Sequence, residues 1–198
     1  ISPYQNAIDA YRQGLAPLNQ AIAQNNLAAV HLTLGESHRA LDVLQETKTF
    51  FQATNNQVEL AQTLSHMGAA YRQLGELEEA LNYHHEALKL RQEAKNRPGI
   101  AESHNNLGVV YTILAEYRLA RTHLTQALEI WKELKNLRGE AKTLNNLAST
   151  FGVNPLDHGE LDQILTYLNQ ALAIQQTLND RNEQATILQH IINEIGRA

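Results

Sequence analysis

The stretch Thr143-Leu144-Asn145-Asn146-Leu147-Ala148-Ser149-Thr150-Phe151 recurs forty residues earlier as Ser103-His104-Asn105-Asn106-Leu107-Gly108-Val109-Val110-Tyr111. Forty residues before that it stands as Thr63-Leu64-Ser65-His66-Met67-Gly68-Ala69-Ala70-Tyr71. Working outward, Asn25-Asn26-Leu27-Ala28 opens the series and Gln189-His190-Ile191-Ile192 closes it. A period of this length marks an array of one small unit and replaces any domain count drawn from chain length.

Between successive copies of that stretch lies a second recurring segment. Leu34-Gly35-Glu36, Leu74-Gly75-Glu76, Leu114-Ala115-Glu116 and His158-Gly159-Glu160 occupy one turn position, the last displaced by four residues. Each is followed by a small or apolar residue (Ala40, Ala80, Ala120, Ile164) and then by an apolar-periodic helix. The spacing of Leu124, Ala127, Leu128 and Trp131 makes that helix amphipathic. The unit is therefore a helix A, a turn and a helix B, with A near 18–33 and B near 37–53 in the first repeat.

On this count the chain is a half repeat at 1–14, repeats at 18–56, 57–96, 97–136 and 137–180, and a half repeat at 181–198. The fourth repeat carries a loop insertion at 152–158, where Gly152, Asn154 and Pro155 break any helix. Residues 1–14 read as the end of a helix B with Tyr4, Ala7, Ile8 and Tyr11 on its apolar face; residues 181–198 read as a helix A without its B. Asn56, Asn96, Asn136 and Asp180 close the B helices, as residue types that tolerate left-handed backbone and cap the next helix. Glu36, Glu76, Glu116 and Glu160 suit the start of a helix, where a carboxylate is favoured.

Gly68 and Gly108 sit inside good helices, at a cost of about 1 kcal/mol each relative to Ala. Ala28 and Ala148 stand at the same position, so it demands the absence of a side chain, as close approach of two helix backbones would. Leu27, Met67, Leu107 and Leu147 one residue before, and Tyr71, Tyr111 and Phe151 three after, fill the space beside it.

These residues resemble the tetratricopeptide repeat. The unit has Leu-Gly or Leu-Ala followed three residues later by Tyr or Phe, a Gly at the turn, Ala five residues on and Ala seven beyond that. The forty-residue period and the Asn-Asn-Leu-Ala or Asn-Asn-Leu-Gly segment are similar to the long-repeat branch: kinesin light chain, animal polarity adaptors and bacterial multi-repeat regulatory proteins. The resemblance implies an all-α fold, a right-handed α-solenoid of antiparallel helix pairs. It also implies a concave groove lined by helices A, with the residue two before the recurring Leu facing it. His84 and Leu124 stand where the family has an aromatic, and Thr47-Lys48 replace an Ala-Leu pair.

The groove positions so assigned are Asn25, Ser65, Asn105, Asn145 and Gln189. On the same helical face lie Gln62, Glu102 and Lys142 three residues before, and Ala69, Val109, Ser149 and Asn193 four after, with Arg72 a turn beyond. Side-chain amides both donate and accept, so such a ladder suits the backbone of an extended peptide; a solvated helix face is the other reading. The second Asn of each pair (Asn26, Asn106, Asn146, with His66 and His190 elsewhere) is read as structural, satisfying groups between repeats.

The expected function is a protein-interaction module that takes a protein or peptide ligand. The alternative is an intramolecular regulatory or scaffold segment whose ligand is another domain of the same polypeptide, in a larger bacterial signalling or peptidase-fused protein. Members of the family that clamp a chaperone's C-terminal carboxylate use Lys or Arg where this chain has Asn105 and Asn145. Only Lys142 and Arg72 are cations nearby, so an extended internal segment is the expected ligand.

Composition closes off other classes. Sixteen Lys and Arg against 21 Asp and Glu give a net charge of −5, which offers no basic footprint for nucleic acid or an anionic membrane. No apolar run reaches the roughly 20 residues that span a bilayer. Cysteine is absent, and the nine histidines lack a metal-ligand spacing, His84-His85 diverging by about 100 degrees on a helix. No nucleophile motif, phosphate loop or paired carboxylate points to catalysis, and no cofactor is expected. Ile1-Ser2-Pro3-Tyr4-Gln5 resembles neither a signal peptide nor a translation start, so the chain reads as a stretch of a longer, cytoplasmic polypeptide. Trp131 is expected at a rim. The last helix shows Ile187, Leu188, Ile191, Ile192 and Ile195 without a polar cap, so the array is expected to continue beyond it, and the isolated chain to pair through its ends or be most mobile there.

Overall fold

The computed structural model describes residues 17–151 and 158–196. The half repeat at 1–14 and most of the 152–158 insertion lie outside the described residues. Those described form helices and turns, with no strand among them. The helices are α1 (Pro17–Thr33), α2 (Ser37–Ala53), α3 (Gln57–Leu74), α4 (Leu77–Glu93), α5 (Arg97–Ile113), α6 (Tyr117–Glu133), α7 (Leu137–Ala148), α8 (His158–Thr177) and α9 (Arg181–Ile195). Odd-numbered helices are the A helices and even-numbered ones the B helices.

The chain divides into two compact units, Ile1–Asn96 and Arg97–Ala198. In the first, each of α1 to α4 packs on the next, and α1 also touches α3. In the second, α5 to α9 do the same, with α5 touching α7. Within each unit sequence neighbours are thus space neighbours, and the core lies in small clusters between helices. Ala28, Leu32, Ala40, Leu44, Met67 and Ala70 form one in the first unit; Ala141, Leu144, Ala148, Ile164, Leu168, Ala171 and Ile187 form another in the second.

The turns are one device repeated. The amide of Glu36 donates to the His31 carbonyl at 2.9 Å, Asn56 to Phe51, Glu76 to Tyr71, Asn96 to Arg91, Glu116 to Tyr111, Asn136 to Trp131 and Asp180 to Gln175. This is the six-to-one bond of a Schellman ending, which satisfies carbonyls the helix leaves open. It needs left-handed backbone at the residue before, supplied by Gly35, Gly75, Asn55, Lys95, Ala115, Lys135 and Asn179. The sequence reading put this conformation one residue too late: Asn56 and Asn136 have negative φ and stand at the N-caps of α3 and α7.

Of the expected caps, Asn136 accepts from the Gly139 amide at 2.9 Å and Asp180 from the Glu183 amide at 3.2 Å. Glu36 makes no cap bond; its carboxylate takes His31 Nδ1 at 2.6 Å and Arg39 at 2.9 Å. The His31 bond, with the Arg39 charge behind it, holds the Glu36 carboxyl below its usual pKa against a smaller opposing effect of burial. The segment His158-Gly159-Glu160 is not a turn, because α8 already begins at His158.

Ala115 has φ 59°, where Gly35 and Gly75 stand in the equivalent turns. A Cβ in that region costs about 1 kcal/mol or more. Ala115→Gly is therefore expected to stabilise the second unit by about 1 kcal/mol, read as a higher denaturation midpoint; an unchanged or lower midpoint counts against it.

The glycines expected at close helix approach are tightly covered, although by a side chain. A Cβ on Gly68 would lie 2.6 Å from the His84 ring, and one on Gly108 2.5 Å from Leu124 Cγ, with the Ala120 carbonyl at 3.3 Å. Trp131 is half-buried and lies over Gly139, where a Cβ would come within 2.5 Å of its ring. Thr47, at the substituted Ala position, is buried with its hydroxyl donating to the Leu44 carbonyl at 3.1 Å, and Lys48 sits over the Tyr83 ring at 5.2 Å.

Candidate functional site

Within each unit the first A helices turn this segment toward the A helix of the next repeat, α1 toward α3 and α5 toward α7, and this sets what the amides can do. Asn25, Ser65 and Asn105 are only 2%, 2% and 4% exposed, so they do not stand on an open face. Asn25 lies between α1 and α3, and Asn105 between α5 and α7. His66 Nδ1 donates to Asn25 Oδ1 at 3.3 Å, and Asn105 Oδ1 accepts from Asn146 Nδ2 at 3.0 Å and from Thr143 Oγ1 at 3.2 Å. His190 Nδ1 repeats the bond to Asn145 Oδ1 at 3.0 Å. The first residue of a pair accepts from the second residue of the next pair.

The assignment of the first Asn to the ligand and the second to the structure therefore needs correcting within each unit. Both members build the junction: Asn25 and Asn105 are buried, Asn145 and Asn146 half-buried, and Gln189 exposed beside half-buried His190. Asn26 is exposed.

The remaining residues of the expected groove divide by unit. In the first, Gln62 is half-buried and fully used: its amide nitrogen donates to His66 Nε2 at 2.8 Å and its oxygen accepts from buried Arg91 at 3.0 Å. Arg72 is half-buried one turn on. In the second, Glu102 is half-buried, Lys142 is exposed, and exposed Ser149 donates to the Asn145 carbonyl at 3.3 Å.

Asn145 and Gln189 are brought together. They share a pocket of about 500 Å³ between α7 and α9, completed by Ala185, Thr186, His190 and Asn193. Gln189 Nε2 donates to Asn193 Oδ1 at 3.0 Å. Asn145 Nδ2, Gln189 Oε1 and Asn193 Nδ2 are left without a partner among the described residues. The walls thus offer two neutral donors and one neutral acceptor, and the imidazole edge of His190, whose Nε2 lies 3.6 Å from the buried Glu194 carboxylate. The sequence places Asn193 on this face but reads His190 as structural, whereas the pocket wall includes both. The signal for His190 was the offset of one repeat plus one residue, which links the two members of successive pairs.

Among the described residues no group of three or more His, Cys, Asp or Glu is placed to hold a metal ion. No described helix is long and apolar enough to cross a membrane.

Residues 59–133 match the family model of the tetratricopeptide repeat. Residues 59–133 carry tetratricopeptide repeats. Solved structures agree on the all-helical repeat fold. BtubC (BKLC) from P. vanneervenii superposes with a TM-score of 0.80 at 18% identity, over 99% of this chain and 82% of that one. The apo form of RapI gives 0.75 at 22% identity, over 93% and 68%. A putative kinesin light chain from Podosopora anserina with nearly identical TPR-like repeats gives 0.63 at 16% identity, over 87% and 92%. At these identities the likeness is one of fold. No match to a curated protein sequence was found.

Proposed function

We propose that this tetratricopeptide array is a protein-interaction module that holds an extended segment of a partner polypeptide along its A helices, with the pocket between α7 and α9 as one station. The observation that carries this is the pocket's chemistry. Asn145, Gln189 and Asn193 present unpartnered amide donors and an acceptor side by side in a space of about 500 Å³. A peptide backbone offers the complementary alternation of carbonyl and amide, and a neutral wall grips it without demanding one sequence. Of the positions chosen from sequence in the same unit, Glu102, Lys142 and Ser149 stay at or near the surface and serve as flanking contacts.

The pocket wall carries no cation, so a free carboxylate has nothing in it to pair with. A peptide ending in an acidic C-terminus is expected to bind no better than its amidated form.

The test is selection of displayed peptides on the 198-residue chain, followed by calorimetry on the selected sequences. Gln189→Ala with Asn193→Ala is expected to weaken binding by about 1 to 3 kcal/mol through lost hydrogen bonds. Both residues are exposed, so thermal stability stays at the wild-type value. Unaltered affinity of every selected peptide for the double variant, or selection only of free acidic C-termini, would overturn the reading.

A further inference from the structure

We infer that the segment held between α7 and α9 carries an internal Asp or Glu, whose carboxylate is bound by Arg138 and Arg181. This rests on the reading of the array as a holder of an extended segment, and it names the chemistry of that segment.

A second pocket, of about 490 Å³, lies between the same two helices. Arg138 at the start of α7 forms one wall, and Leu178, Asn179, Asp180, Arg181 and Asn182, at the turn into α9, form the other. Arg138 stands seven residues before Asn145, and Asn182 seven before Gln189. Seven residues fall within about 20 degrees of two full helical turns, so each pair shares one face of its helix. Both pockets take residues in the same order from the two helices, so α7 and α9 run side by side in one direction. The pockets are therefore two stations along one groove. Two turns rise about 10 Å, the length of about three residues of extended chain. A backbone gripped at Asn145 and Gln189 thus brings a side chain about three residues away to the arginines.

Charge decides what that side chain is. Arg97 and Arg121 of the same unit are engaged, the first with the Glu133 carboxylate and the second with the Thr150 carbonyl at 3.1 Å. Arg138 and Arg181 hold no hydrogen bond or ion pair among the described residues. Exposed Lys142 lies on the same face of α7, four residues after Arg138 and three before Asn145. Asp180 is the one acid lining either pocket, and its Oδ1 is already taken by the Glu183 amide at 3.2 Å. In a chain of net charge −5, this stretch of groove is locally positive. Guanidinium groups present planar forks of N–H donors that match a carboxylate. The arginines occupy different places in the repeat, Leu137 being the counterpart of Arg181 at the first position of its helix, so no recurrence in the sequence marks them.

Both arginines are exposed, and exposed ion pairs are individually weak. They choose among segments that the amide station holds. The test starts from peptides selected on the 198-residue chain, resynthesised with each internal Asp or Glu replaced in turn by Asn or Gln. One such replacement is expected to weaken binding to the wild-type chain about fivefold at low salt, and the difference to shrink as salt is added. Arg138→Ala with Arg181→Ala is expected to bind the acid and amide peptides alike. Arg138→Glu with Arg181→Glu is expected to prefer a Lys at that position over the original acid, an exchange that a merely disturbed fold does not produce.

An acid that can be replaced without loss overturns the inference, as does an equal loss in the wild-type chain and the double Ala variant. A phosphoserine at that position bound at least tenfold more tightly than Glu overturns the choice of a carboxylate. Peptides that depend on the arginines but not on Gln189 and Asn193 overturn the backbone grip and leave the arginine station standing. Selection of no peptide at all overturns both.

Discussion

Between pH 7 and pH 5 the first unit is expected to lose about 2 kcal/mol of stability through one side chain, His84. Its ring is 1% exposed and packs on Gly68. Burial, with smaller contributions from the charges of Arg72, Arg91 and His85, lowers its pKa from 6.5 to about 3. Its Nδ1 has no hydrogen-bond partner in the structure. In the unfolded chain the imidazole takes a proton as the pH falls through about 6.5, while the folded one stays neutral until about 3. The unfolded state thus binds more protons throughout that window, so stability is complete above it and declines as the pH drops through it. At pH 5 the difference is about 1.5 pH units below the unfolded pKa, or about 2 kcal/mol.

His84→Leu isolates the effect, because Leu44, Leu124 and Leu168 occupy this position in the other repeats and are fully buried. The variant is expected to gain about 1 to 3 kcal/mol at pH 7, by removing a buried polar atom without a partner. It also loses the added acid sensitivity. Urea denaturation of both chains at pH 7 and pH 5 measures this. The same difference between the two pH values in wild type and variant would show that His84 does not carry it.

His84 also marks the limit of what the sequence makes legible. The fold follows from the period, because a helix that cannot bury its apolar face alone must stack on its neighbours, and the small residues at 28, 68, 108 and 148 fix which faces meet. The candidate site depends on a finer matter, the rotation of each A helix about its axis. Residues 105 and 106 differ by about 100 degrees, and no hydrophobic pattern distinguishes two adjacent Asn. The structure resolves them through partners: Asn105 takes two hydrogen bonds and is buried, while Asn106 is half-buried. Asn145 is half-buried with its oxygen taken by His190 of the following A helix, and Gln189 is exposed. The left-handed residues were misplaced by one for a similar reason. Lys95 and Lys135 adopt that backbone with no compositional sign, imposed by the bond from the next amide to the carbonyl of Arg91 or Trp131.

The Gly108–Leu124 contact is expected to show the largest energetic coupling in the second unit. Leu124 is fully buried with its Cγ over Gly108. Leu124→Ala removes those atoms and leaves a cavity, at a cost of about 2 to 5 kcal/mol. Gly108→Ala gains about 1 kcal/mol of helix propensity, but its new Cβ would stand 2.5 Å from Leu124 Cγ and 3.3 Å from the Ala120 carbonyl. Overpacking of this kind costs about 1 to 3 kcal/mol, so the single variant is neutral or destabilised. Combined, the two changes relieve each other, because the added methyl enters the space that the leucine vacates and the propensity gain remains. The double variant is therefore expected to be more stable than the sum of the singles by at least about 1 kcal/mol. Repeat one shows that a methyl is tolerated where the neighbours allow it: Ala28 and Leu44 share one core cluster, both fully buried. The cycle is read from urea midpoints and slopes of the four chains. Additivity within a few tenths of a kcal/mol would mean that α6 shifts to admit the methyl, and that the absence of a side chain at 108 is not what sets its distance from α5.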